Sequence, residues 1–86
     1  PDDAAILDSL GWVNYRLGNL QEAEAQLRKA LERFPDHEVA AHLGEVLWSA
    51  GKQREARAIW AKALKENSDS EVLRETIKRL TGSEKP

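Results

Sequence analysis

The sequence contains no cysteine and no methionine, and its 86 residues include only three prolines. The lack of cysteine excludes disulfide bonds, thiolate metal sites and thiol chemistry. No apolar run approaches the roughly 18 residues that a membrane-spanning helix needs. Charged residues make up 33% of the chain with a net charge of −2, which predicts a well-solvated surface without a strong preference for either sign.

The charges are unevenly distributed. Residues 1–51 carry nine acids and four bases, whereas residues 52–86 carry six acids and nine bases. This uneven distribution of charge is enough to orient a partner. The chain nevertheless lacks the dense basic stripe of proteins that bind nucleic acids. We therefore predict no nucleic-acid partner, and from this segment no membrane contact.

Hydrophobic residues recur with a helical period along nearly the whole chain. The pattern predicts five helices, over about residues 3–17, 20–34, 37–50, 53–67 and 69–81. The predicted packing faces of the first three are Ile6, Leu7, Leu10, Gly11, Val13, Asn14 and Leu17; Ala23, Leu27, Ala30, Leu31 and Phe34; and Val39, Ala40, Leu43, Gly44, Val46, Leu47 and Ala50. The predicted capping groups are Asp2 or Asp3, Asn19 with Glu22, Asp36, and Ser68 with Glu71.

Residues 10–31 and 43–64 repeat one another at a spacing of 33. Leu10-Gly11 recurs as Leu43-Gly44, Gly18 as Gly51, Glu22-Ala23 as Glu55-Ala56, and Ala30-Leu31 as Ala63-Leu64. Such a period is typical of stacked helical hairpins. The mid-helix glycines cost about 1 kcal/mol each relative to Ala. They therefore predict a close approach of the second helix, where Ala23 and Ala56 are also small.

These matched positions resemble the tetratricopeptide repeat family, whose hairpins of about 34 residues carry Leu-Gly, a turn glycine and alanines at this spacing. The resemblance implies an all-α superhelix of two hairpins plus a C-terminal capping helix. Repeat 1 covers about residues 2–34, repeat 2 about 35–68, the capping helix about 69–81 and a frayed tail 82–86. Since residues 1–3 match the turn at Pro35-Asp36, we expect this domain to be part of a longer array.

The amino-acid sequence of residues 6–13 and 39–48 is similar to that of the C-terminal repeats of long proteobacterial lipoproteins of this family. That resemblance implies a bacterial periplasmic or outer-membrane location. Some of these lipoproteins are adaptors for a carboxyl-terminal processing protease.

The family resemblance also implies a concave groove lined by the first helices of the hairpins. Its partner-binding candidates are Asp8, Trp12, Tyr15, Arg16, His42, Glu45 and Trp48. The same face would also present Ala5, Ser9, Glu38, Ala41 and Ser49. Aromatic and Arg side chains are frequent anchors of binding energy. The alternative is that Trp12 and Trp48 only fill the groove or pack on an upstream repeat.

Neither a metal, a cofactor nor a catalytic centre is predicted. His37 and His42 are five residues apart, about 140° around a helix, so they cannot share a metal as an i, i+4 pair does. No nucleophile has an arranged base. The sequence therefore predicts a non-catalytic module that binds a peptide or a partner helix. The alternatives are a structural cap of a larger scaffold and self-association through an open N-terminal face at Leu7, Leu10 or Trp12, which would give a homodimer.

Overall fold

The computed structural model describes residues 3–83 and 85, and this part of the chain folds into five α-helices without a strand. They are α1 (Ala4–Arg16), α2 (Leu20–Arg33), α3 (His37–Ser49), α4 (Gln53–Glu66) and α5 (Glu71–Thr81). The predicted all-α fold is confirmed, and each helix lies within two residues of its predicted bounds. Within this part of the chain, no helix has the length and apolar character needed to cross a membrane.

The helix starts follow local hydrogen-bonding chemistry. The Asp3 carboxylate accepts a hydrogen bond of 2.9 Å from the Ala5 amide, and Asp36 caps α3 in the same way at 3.1 Å. The alternative cap, Asp2, lies outside the described residues, as do Pro1 and, in the predicted tail, Glu84 and Pro86. Two turns use glycine in the left-handed region, Gly18 at φ 87° and Gly51 at φ 84°, as the sequence predicted.

Two predicted capping boxes are wrong. The Asn19 side chain accepts no hydrogen bond from an α2 amide, and its Nδ2 donates to Asn14 Oδ1 at 3.1 Å. Helix α5 begins at Glu71 rather than near residue 69, because the Ser70 hydroxyl, not Ser68, accepts the Leu73 amide at 3.2 Å.

Helix α3 is the centre of the molecule, since it contacts all four other helices. Helices α1 and α2 form one hairpin, α3 and α4 form the second, and α5 packs mainly on α3. A Cβ added at Gly44 would overlap the indole ring of Trp60, and one added at Gly11 would lie 2.7 Å from Leu27 Cγ. The predicted close approach is confirmed, although the tightest neighbours are these large side chains rather than Ala23 and Ala56.

The predicted packing face of α1 is partly wrong. Only Leu7 and Gly11 are buried there, while Ile6, Leu10, Val13 and Leu17 are 45%, 44%, 55% and 70% exposed. The physical reason is that α1 contacts only α2 and α3 among the described helices, and neither of them covers its remaining side. We call these four side chains the α1 stripe.

Two smaller predictions fail for a related reason. Phe34 is 58% exposed because the chain becomes extended at that residue, which ends α2 and turns the ring out of the helical stripe. Ala50 lies just beyond the last helical residue of α3 and is also exposed.

Candidate protein-interaction face

The first helices of the two hairpins and α5 share one surface, on which polar and aromatic side chains contact one another across helix boundaries. We call it the first-helix face. Its members are Asp8, Trp12 and Tyr15 of α1, His42, Glu45 and Ser49 of α3, and Arg79 of α5.

At one part of this face, an aromatic stack and a hydrogen bond join α1 to α3. His42 Nδ1 lies 2.9 Å from Asp8 Oδ1, and because an ionised carboxylate only accepts, Nδ1 carries the donated proton. The Trp12 indole stacks on the His42 ring with their centroids 4.2 Å apart. All three side chains are half-buried, so the stack presents one side to solvent.

A second cluster joins three helices around the Glu45 carboxylate, which is buried at 6% exposure. The Tyr15 hydroxyl donates to Glu45 Oε2 at 3.0 Å, and the Arg79 guanidinium donates to both carboxylate oxygens at 2.5 and 3.3 Å. The Ser49 hydroxyl lies 3.0 Å from the Tyr15 oxygen. Every buried side-chain polar atom in the described residues has a partner, so this cluster is fully satisfied.

The cluster changes the protonation equilibria of its members. Burial raises the pKa of the Tyr15 phenol, and the Glu45 charge adds to that rise against the opposing hydrogen bond from Ser49. The hydrogen bond to Glu45 raises the pKa of the Arg79 guanidinium, which burial alone would lower. Tyr15 therefore stays neutral and Arg79 stays charged at physiological pH.

The structure thus brings together five of the seven candidate residues, Asp8, Trp12, Tyr15, His42 and Glu45. Trp48 is turned toward α4 instead, where its ring centroid lies 5.8 Å from that of Trp60 and the Arg57 guanidinium lies 5.1 Å above it. Arg16 is exposed near the end of α1.

The remaining groove positions divide between surface and core. Ala5, Ser9 and Glu38 are exposed as the resemblance implied. Ala41 is fully buried, and its carbonyl accepts a hydrogen bond of 3.5 Å from Trp60 Nε1. Glu45 is also buried rather than presented to solvent, because Tyr15 and Arg79 occupy its carboxylate.

Sequence reasoning missed Arg79 of α5, which joins this face through Glu45. A usable signal exists, since the three contacts Asp8–His42, Tyr15–Ser49 and Glu45–Arg79 each join residues 34 apart. A spacing one residue longer than the repeat period therefore marks side chains that meet across neighbouring first helices.

The two histidines have separate partners. His37 Nδ1 lies 2.7 Å from the Ser70 hydroxyl, and His42 is held by Asp8. Across residues 3–83 and 85, no group of three His, Asp or Glu side chains is placed to hold a metal ion.

Comparison with known proteins agrees with this architecture. The family model described as "Tetratricopeptide repeat" matches residues 1–38 and 9–72. A TPR repeat-containing protein of Pseudomonas aeruginosa (strain PAO1) is 67% identical over all 86 residues. The chain spans about 15% of the length of that relative.

Proposed function

Because this chain belongs to the tetratricopeptide repeat family, whose repeats generally mediate protein–protein interaction, we propose that its first-helix face binds a peptide or a helix of a partner protein. We further propose that the chain does this without catalysis. The observation that supports the choice of face is the aromatic cluster around Trp12. Its indole stacks on the His42 ring, and its ring centroid lies 4.9 Å from that of Tyr15.

This arrangement suits recognition for an energetic reason. Trp and Tyr bury much area at small entropic cost, and here their rings already have fixed neighbours, so little freedom is lost on binding. Beside them the Arg79 side chain is 58% exposed although its charge is paired with Glu45. A partner would therefore meet an aromatic centre with an adjoining cation that offers further donors to a carboxylate or a carbonyl.

A narrower form of the proposal names the partner. The similarity of residues 6–13 and 39–48 to proteobacterial lipoprotein repeats supports a role as part of an adaptor for a carboxyl-terminal processing protease. It also supports a periplasmic location for the parent protein.

We expect Trp12→Ala to weaken binding of a peptide selected by phage display on the unmodified chain by about 10-fold or more, since interface anchors are worth about 2 kcal/mol or more. Fluorescence anisotropy of the labelled peptide measures the affinity, and circular dichroism verifies the fold. Phe34→Ala, which removes an exposed ring outside the first-helix face, is the matched control.

Equal affinity of the unmodified chain and Trp12→Ala would refute the choice of face. Co-purification with a purified carboxyl-terminal processing protease tests the narrower form separately. If the chain does not co-purify with the protease, only the narrower form is refuted, and the proposed binding of other peptides is unaffected.

The α1 stripe favours a second candidate function, which is structural. Isolated exposed apolar residues are ordinary, but four on one helix face form a contiguous patch of the kind that marks interfaces. It differs from the N-terminal face expected from sequence, because Leu7 is buried and Trp12 stacks on His42. We propose that this stripe packs either on a neighbouring repeat of a larger scaffold or on a second copy.

If the second copy is the occupant, sedimentation equilibrium is expected to show an average mass that rises with protein concentration. Leu10→Gln/Val13→Gln should then remain monomeric, because it replaces the middle of the stripe with polar groups. Phe34→Gln serves as the control, since it changes an exposed apolar residue elsewhere. A monomer at every concentration would exclude self-association and leave the larger scaffold as the structural alternative.

A further inference from the structure

A cleft separates the second helices of the two hairpins, away from the residues of the first-helix face. Helices α2 and α4 do not pack on each other, and α3 forms the floor between them with the buried side chains of Ala40 and Leu43. Leu31 of α2 and Ile59 of α4 are half-buried walls. The volume is 280 Å³, near the lower limit of ligand pockets, so it suits one or two side chains rather than a large cofactor.

One end of the cleft is closed by an ion pair. Arg28 Nη2 lies 2.8 Å from Glu55 Oε1 and so bridges α2 to α4, while Arg28 Nε donates to Glu24 at 3.0 Å. Both contacts raise the pKa of the Arg28 guanidinium, with the hydrogen bond to Glu24 as the largest cause. Arg28 therefore brings no unsatisfied positive charge to the cleft.

The other end is acidic. Glu32 and Glu66 line the cleft, are exposed, and have no hydrogen-bond or ion-pair partner among residues 3–83 and 85. Asp36 also lies there, but its carboxylate is occupied by the α3 amides. Lys62 stands on the same rim, so among the charged side chains that line the cleft two acids and one base have no partner within residues 3–83 and 85.

We propose that this cleft binds an apolar side chain of a partner peptide that has a lysine or arginine directly beside it. The apolar side chain would lie on Ala40 and Leu43 between Leu31 and Ile59, and its removal from water supplies the main driving force. The neighbouring cation would reach Glu32 and Glu66, which makes the charge of the occupant complementary to that end. This site shares no residue with the first-helix face and does not depend on the function proposed for it.

The probes are two capped dipeptides, N-acetyl-leucyl-lysine amide and N-acetyl-leucyl-glutamate amide. Each is titrated into the ¹⁵N-labelled chain at low ionic strength, and amide shifts are followed by heteronuclear NMR. The lysine probe is expected to cause saturable shifts around Leu31, Leu43 and Ile59. Its affinity should exceed that of the glutamate probe by about fivefold, the size expected for one or two exposed ion pairs.

Glu32→Gln/Glu66→Gln should lose the preference for the lysine probe, because the apolar cleft and Lys62 remain while the two unpaired acids are gone. Glu71→Gln/Glu75→Gln removes two exposed acids of α5 and should keep the preference for lysine. No saturable shift at the cleft in the unmodified chain would overturn the proposal, and so would equal affinity for the two probes. Since these two results need no variant, a variant that fails to fold cannot obscure them.

Discussion

Replacing Gly44 with alanine is expected to lower the free energy of unfolding by about 2–3 kcal/mol and the melting temperature by about 10–20 °C. The added methyl group would overlap three atoms of the Trp60 indole ring. Trp60 is fully buried, so its ring cannot move aside without displacing the core. Alanine gains about 1 kcal/mol in helix propensity over glycine, and the steric cost must exceed that gain. Thermal and urea denaturation followed by circular dichroism measure the change.

The repeat itself supplies the matched control. Gly11→Ala makes the same substitution at the equivalent position, but there the added carbon meets Leu27, a side chain with more rotameric freedom than an indole. Its loss of stability should be clearly smaller. Combining Gly44→Ala with Trp60→Leu should cost less than the sum of the two single changes, because the second substitution removes the ring that the first one strikes. Additive losses, or a stable Gly44→Ala, would contradict the close packing of α3 on α4.

Replacing Arg79 with leucine is expected to destabilise the protein by about 1–2 kcal/mol more than Lys78→Leu on the same helix. The variant leaves the buried Glu45 carboxylate with a hydrogen bond from the neutral Tyr15 hydroxyl but with no compensating charge. The effect falls below that of a fully buried pair because the Arg79 side chain is 58% exposed. Urea denaturation at pH 7 gives the comparison, and Lys78, an exposed neighbour, is the matched control.

A double variant identifies the cause of that loss. Arg79→Leu/Glu45→Leu should recover much of the stability, because neither charge is then buried alone. If Arg79→Leu is no less stable than Lys78→Leu, the pair does not join α5 to the stack.

Local patterns were enough to predict the helices. Capping aspartates and turn glycines act within a few residues, so Asp3, Asp36, Gly18 and Gly51 were read correctly. The errors lie where two local options compete. Asn19 is an acceptable helix cap, yet in the structure its side-chain Nδ2 donates to Asn14. The residue types alone do not tell which of the two hydrogen bonds forms.

Burial was harder to predict because it depends on which helices are present around each face. Leu10 and Leu43 are equivalent in the repeat, but Leu10 is 44% exposed and Leu43 is 1% exposed. The helical period places both on a packing face. Only the three-dimensional arrangement shows that α3 has neighbours on several sides and α1 does not.

The candidate site was predictable in its residues but not in its contacts. The family resemblance supplied Asp8, Trp12 and His42, which the structure brings together. It placed Trp48 on the same face, although the structure packs the Trp48 ring against Trp60 of α4. The cleft escaped prediction because it arises between α2 and α4, which an ion pair joins but which do not pack on each other.

The indole signals of the chain offer the most direct test of where a partner binds. The three tryptophans occupy three different settings: Trp12 on the first-helix face, Trp48 against α4, and Trp60 in the core. When a display-selected peptide is titrated into the ¹⁵N-labelled chain, we expect the Trp12 indole N–H to shift most and that of Trp60 to stay in place. A saturated complex in which the Trp12 signal does not move would show that partners do not bind where α1, α3 and α5 meet.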